Sequence, residues 1–143
     1  MPAHDVLITV IREWLAKADS DLKTATHSLI LGVEAPTETI CFHTQQCIEK
    51  YLKALLVYLA IPFPKTHNLA MLLQLIPAKS RPVLDDRACD TLTEYATVIR
   101  YPHGGPDISV AEARKAVAIS RRIRREVRRL LPKASLRRKP RRG

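Results

Sequence analysis

Four polar side chains, His43, Gln46, Lys50 and Lys53, recur at spacings of three, four and three within CFHTQQCIEKYLKALLVYLA, residues 41–60. Such spacings put them on one side of a helix. An imidazole, an amide and two ammonium groups in a row can offer hydrogen bonds and positive charge to a phosphate or a base. The same face carries Phe42, Leu56 and Val57. Long lysine stems can also cover apolar surface while their ammonium groups reach water. A stripe of this mixed kind is expected to face a groove, or the seam between two copies of the chain, rather than open solvent.

A second pair lies in RYPH, where Arg100 and His103 are separated by two residues. Histidine exchanges protons near neutral pH and arginine presents a planar fork to phosphate. Together they suit cleavage of RNA, with His103 as general base toward a 2′-hydroxyl and Arg100 stabilising the phosphorane. Arg100 could equally bind a phosphate, or close the preceding helix on its last carbonyls. His67, in KTHNL, precedes a short helix, where it either touches a ligand or makes a helix-start hydrogen bond. The chain shows no glycine-rich phosphate loop, no paired catalytic carboxylates and no metal-ligand spacing. Cys41, His43 and Cys47 would scatter around a helix, so no metal and no cofactor are expected. Cys41, Cys47 and Cys89 read as small buried residues in a reducing compartment.

The charge is unevenly placed. Residues 1–113 hold 10 basic and 13 acidic side chains, a balance of −3, while residues 114–143 hold 14 basic and one acidic, a balance of +13. This basic end would attract RNA, DNA or an acidic protein surface. No aromatic residue follows Tyr101, so contacts there would go to phosphates without choice of base. The longest apolar run, Ala54 to Phe63, is too short to span a bilayer. The opening MPAHDVLITVIREW has no basic leader pattern, and a cytoplasmic protein without a membrane partner is expected.

The elements that must carry these groups follow from periodicity. Ile8, Ile11, Leu15, Ala18, Leu22, Ala25 and Leu29 alternate by three and four, predicting a helix over 5–31 with Asp5 as its cap. A second helix is predicted over 37–60, capped by Thr37, with Gln45, Glu49 and Lys53 on its polar side and IPFPK after it. A short helix over 68–76 has Thr66 or Asn68 as cap. A fourth over 83–99 places Leu84, Ala88, Leu92, Tyr95 and Ile99 on one side. The fifth opens with a capping box, Ser109-Val-Ala-Glu112, and runs to Pro132 with Ala113, Ala116, Ile123, Val127 and Leu130 inward. Residues 133–143 have little to bury and read as a basic disordered tail behind a domain of residues 1–132. The fold class is all-α: an antiparallel bundle of four long helices plus one short helix.

FHTQQCIEKYLKALL, then KTHNL, then IRYP ahead of a capped last helix, resembles the HEPN domain family (higher eukaryotes and prokaryotes nucleotide-binding). Trp14, Ala18, Asp21, Leu22 and Ala25 agree in spacing, and the resemblance covers roughly residues 8–131. It implies an up-and-down bundle, commonly a homodimer, often paired with a separate minimal nucleotidyltransferase in toxin–antitoxin-like modules. Some family members are metal-independent ribonucleases, marked by an arginine, four to six residues and then a histidine, at the dimer seam. The two residues between Arg100 and His103 depart from that mark. The resemblance therefore favours a homodimeric nucleotide- or RNA-binding helper of a nucleotidyltransferase, with His43, Gln46, Lys50, Lys53, His67 and Arg100 as ligand contacts. The alternatives are a ribonuclease toxin using Arg100 and His103, and a dimerisation module anchored to nucleic acid by its tail.

Overall fold

The computed structural model describes residues 2–97 and 107–137. Among them every regular element is helical: α1 (Pro2–Ser28), α2 (Thr37–Tyr58), α3 (Leu69–Leu75), α4 (Asp86–Thr97), α5 (Val110–Leu130) and α6 (Lys133–Leu136), with 3₁₀ turns at Leu29–Glu34 and Ala78–Ser80. α2 is the axis of the bundle, and α1, α3, α4 and α5 all pack on it.

That central position explains why α2 is apolar almost all round. Ile40, Cys41, Cys47, Ile48, Tyr51, Leu52, Leu55 and Leu56 are fully buried. The predicted stripe of α1 turns inward onto them, with Ile11, Ala18 and Ala25 fully buried and Leu22 and Leu29 packed at the margin. Gln45, Glu49 and Lys53, assigned by periodicity to the polar side, are buried as well. A helix packed on several sides has no solvent face in its middle, so these groups must find partners inside.

The helix ends show local chemistry. α1 begins before Asp5, which lies in its first turn rather than capping it. The 3₁₀ turn after Ser28 is broken at Gly32 (φ 59°, ψ −124°), a conformation that favours glycine. Pro36, not Thr37, holds the N-cap position of α2. α2 stops at Tyr58 because Ala60 adopts φ 57°. The Ala60 N–H then donates to Val57 O (3.1 Å) and the Ile61 N–H to Leu56 O (3.0 Å), a Schellman closure with alanine where glycine is usual. Asn68 caps α3 by accepting from the Met71 N–H at 3.1 Å. The Asp85 carboxylate accepts from the Ala88 N–H at 2.8 Å, so α4 starts at Asp86 rather than at Val83. Ser109 accepts from the Glu112 N–H at 3.0 Å, as its motif predicts.

Two differences concern the C-terminal end. Leu130 is exposed, and Leu131, extended just past the helix, is buried in its place. Residues 133–136 form a helical turn rather than part of a disordered tail. Ser135 is buried there, and Leu136 packs against the core. Residues 138–143 lie outside the described set.

Candidate functional site

The polar stripe of α2 divides between two carboxylates, Asp21, which is half-buried, and Glu49, which is buried. Asp21, on α1, takes His43 Nδ1 on one oxygen at 2.7 Å and Lys50 Nζ on the other. His43 and Lys50 are two turns apart on α2, so a single α1 carboxylate reaches both. Glu49, 3% exposed, receives three donors. Its Oε1 accepts from Gln45 Nε2 (3.3 Å) and faces His67 Nδ1 (2.7 Å), and its Oε2 accepts from Lys53 Nζ (3.0 Å). The Lys53 ammonium also lies over the rings of Trp14 (5.6 Å) and Phe63 (5.9 Å), where ring quadrupoles favour a cation. Gln46 donates to Gln45 Oε1 at 2.7 Å. Gln45 Nε2 also reaches the His67 carbonyl at 3.0 Å, joining α2 to the loop before α3.

These contacts place His43, Gln46, Lys50, Lys53 and His67 together on the side of α2 that meets α1 and the 61–67 loop. Each cation of the stripe already has a counter-charge. Arg100 and His103 lie outside the described residues.

Sequence reasoning missed Asp19, two residues before Asp21. It accepts hydrogen bonds from the Tyr51 hydroxyl and, at 3.0 Å, from Arg124 Nε, and Arg128 Nη1 stands 3.9 Å away. α1, α2 and α5 are thus tied at one carboxylate. Burial, and then the bond to Asp19, push the Tyr51 hydroxyl pKa up. Burial opposes the charge on Arg124, but Asp19 and Tyr51 outweigh it and hold the guanidinium above its usual value. Periodicity marks which face of a helix turns inward; it carries no signal for which carboxylate 105 residues away will meet Arg124.

The arginines of α5 fall into two groups. Arg122, Arg124 and Arg128 have acidic partners, Glu126 for the first and Asp19 for the others. Arg114, Arg121, Arg125 and Arg129 are exposed, and none forms an ion pair among the described residues. Their spacings of seven, four and four draw one line along the helix, about 22 Å long at 1.5 Å per residue.

Between α1, α5 and α6 lies a cleft of about 480 Å³. Arg12, Lys23, Arg124, Arg128 and Arg137 line it against two acidic residues, Glu13 and Asp19. Arg12 donates twice to the Ala134 carbonyl, from Nε at 3.0 Å and Nη2 at 2.7 Å, and so fixes α6 as one wall. A second cleft of about 390 Å³ adjoins it, sharing Asp19, Lys23 and Arg124 and adding Arg121.

Cys41, Cys47 and Cys89 are buried, and none of them forms a disulfide. Burial raises the Cys47 pKa and, with help from nearby Asp86, pushes Cys89 up to about 11. Neither is poised as a thiolate at neutral pH. No helix among the described residues is long and apolar enough to cross a membrane.

Comparison with known proteins agrees with this architecture. The family described as the HEPN domain matches residues 11–130. The crystal structure of TT1696 from Thermus thermophilus superposes with a TM-score of 0.68 at 29% identity, covering 85% of this chain and 98% of that one. The crystal structure of ST0689, described as an archaeal HEPN homologue, gives 0.65 at 25% identity, covering 84% and 96%. No curated protein matches the chain.

Proposed function

This chain belongs to the HEPN domain family, and from that premise we propose that it is a homodimeric module that binds a nucleotide or RNA and assists a minimal nucleotidyltransferase, as in toxin–antitoxin-like pairs. The observation that carries the binding half of this reading is the line of Arg114, Arg121, Arg125 and Arg129 on the outer face of α5. Four guanidinium groups without acidic partners among the described residues attract a polyanion and release its counterions on contact. No aromatic residue stands on α5, so the line grips phosphates without choosing bases.

The stripe on α2 serves this reading by positioning. Asp21 and Glu49 neutralise its cations and fasten α1, α2 and the 61–67 loop. Asp19, through Arg124 and Arg128, ties α5 to the same α1. Membership of the family supports the partner and the dimer in this reading, and the surplus charge suits an acidic surface on a second protein.

The test is equilibrium binding of a labelled single-stranded RNA to the wild type and to Arg121→Glu/Arg125→Glu/Arg129→Glu. Binding by the wild type that the triple variant loses, with unchanged helicity, is expected. Equal binding by both proteins would remove α5 as the contact surface. Co-purification with a minimal nucleotidyltransferase tests the helper role, and failure to associate at micromolar concentration would end that part.

A further inference from the structure

We propose that the cleft between α1, α5 and α6 is a separate site for a mononucleotide-sized polyphosphate, a nucleoside diphosphate or triphosphate. The proposal rests on the reading that this chain takes a phosphate-bearing ligand, and it assigns such a ligand to a place apart from the outer face of α5.

The charge inside the cleft is unbalanced. Five cations face two carboxylates, leaving +3 on a concave wall. Asp19 is committed to Arg124 and the Tyr51 hydroxyl, and holds Arg128 only loosely at 3.9 Å. Arg12 directs two donors to a neutral carbonyl, so its charge stays uncompensated. Lys23 and Arg137 are exposed at the rim, with no ion pair among the described residues. Converging guanidinium groups are well suited to phosphate oxygens, because their planar forks bind two at a time. Asp19 holds Arg124 in place before any ligand arrives, which lowers the ordering cost of binding.

The shape selects a compact ligand. About 480 Å³ lies within the range of small-molecule sites, roughly 300–1,000 Å³. Leu15, Ala16 and Leu136 give the cleft an apolar wall beside its cations, which suits a ligand with an organic body as well as phosphates. α6, pinned by Arg12, closes one side. An extended strand is better served by the open arginine line on α5.

Titration calorimetry with ATP decides the matter on three proteins: the wild type, Lys23→Glu/Arg137→Glu in the cleft, and Arg125→Glu/Arg129→Glu outside it. The two variants carry the same change of charge. Wild type should bind one ATP per chain, with inorganic triphosphate competing. Each charged hydrogen bond lost weakens binding about tenfold, so the cleft variant should lose roughly a hundredfold while the outer variant keeps its affinity for ATP and loses its affinity for RNA. Equal loss of ATP affinity in both variants, or none in the cleft variant, overturns the site. RNA binding by the wild type without any ATP binding overturns the site and leaves the proposed function standing. Binding of neither overturns both. Should the reversals lower the melting temperature, Lys23→Gln/Arg137→Gln removes charge without inverting it and must weaken ATP binding in the same direction.

Discussion

Replacing Glu49 with glutamine keeps the side chain's size and removes the charge that holds Lys53 inside the protein. Glu49 and Lys53 side chains are 4% and 9% exposed, and their ion pair is 3.0 Å long. Breaking one partner of a buried pair strands the other charge and costs about 3–5 kcal/mol. Trp14 and Phe63 still face the ammonium group at 5.6 and 5.9 Å, retaining on the order of 1 kcal/mol. The net loss expected for Glu49→Gln is therefore about 2–4 kcal/mol, a drop of roughly 5–15 °C in melting temperature for a chain of 143 residues. Urea denaturation measures it. The double variant Glu49→Gln/Lys53→Met should recover much of the loss, since methionine packs well against aromatic rings and leaves no charge behind. A loss below about 1 kcal/mol, the value of an exposed pair, would show that water reaches this cluster. A double variant no better than the sum of the singles would show that the two groups are not coupled.

Other outcomes follow from the same structure. Ala60→Gly should stabilise the protein by about 0.5–1 kcal/mol, because alanine is strained at φ 57° and glycine is not; thermal melting reads it. Asn68→Ala and Ser109→Ala each remove a side-chain cap and should cost about 1 kcal/mol in urea denaturation. Alkaline pH should unfold the chain early. Cys89 holds its proton up to about 11 when folded against 9.0 as a free thiol, so its contribution is complete below pH 9.0 and is lost as pH rises through about 11. Burial pushes Cys47, Tyr51 and Tyr95 the same way, so ellipticity followed from pH 8 upward should show stability falling from about pH 9, and a flat profile to pH 11 would contradict these buried environments.

Much of the fold was legible because it is written in local patterns. The three-and-four alternation of α1 names the face that is buried, and the short motifs at Asn68 and Ser109 name the helix starts they cap. Glu49 and Lys53 were misplaced because hydrophobic periodicity reads a charge as solvent-facing, and only the neighbours of a central helix decide otherwise. Leu130 was misplaced by one residue because α5 ends there and the extended backbone at Leu131 swings the next side chain inward. α6 was invisible: four residues after a proline carry no period, and its anchor is an arginine more than a hundred residues earlier. The same distance hid the role of Asp19 and the cleft. The stripe on α2 was found by its spacing, but its carboxylate partner on α1 was not.

RNA held through its phosphates by the arginine line of α5, as proposed, must bind with a marked dependence on salt. The measurement is RNA affinity across a salt series. Four phosphate contacts on a single strand predict that log K falls with log salt at a slope of about −2.8, and reversing Arg121, Arg125 and Arg129 should flatten it to about −0.7. A wild-type slope near zero, or a slope that the three reversals leave unchanged, would rule out phosphate contacts by these arginines.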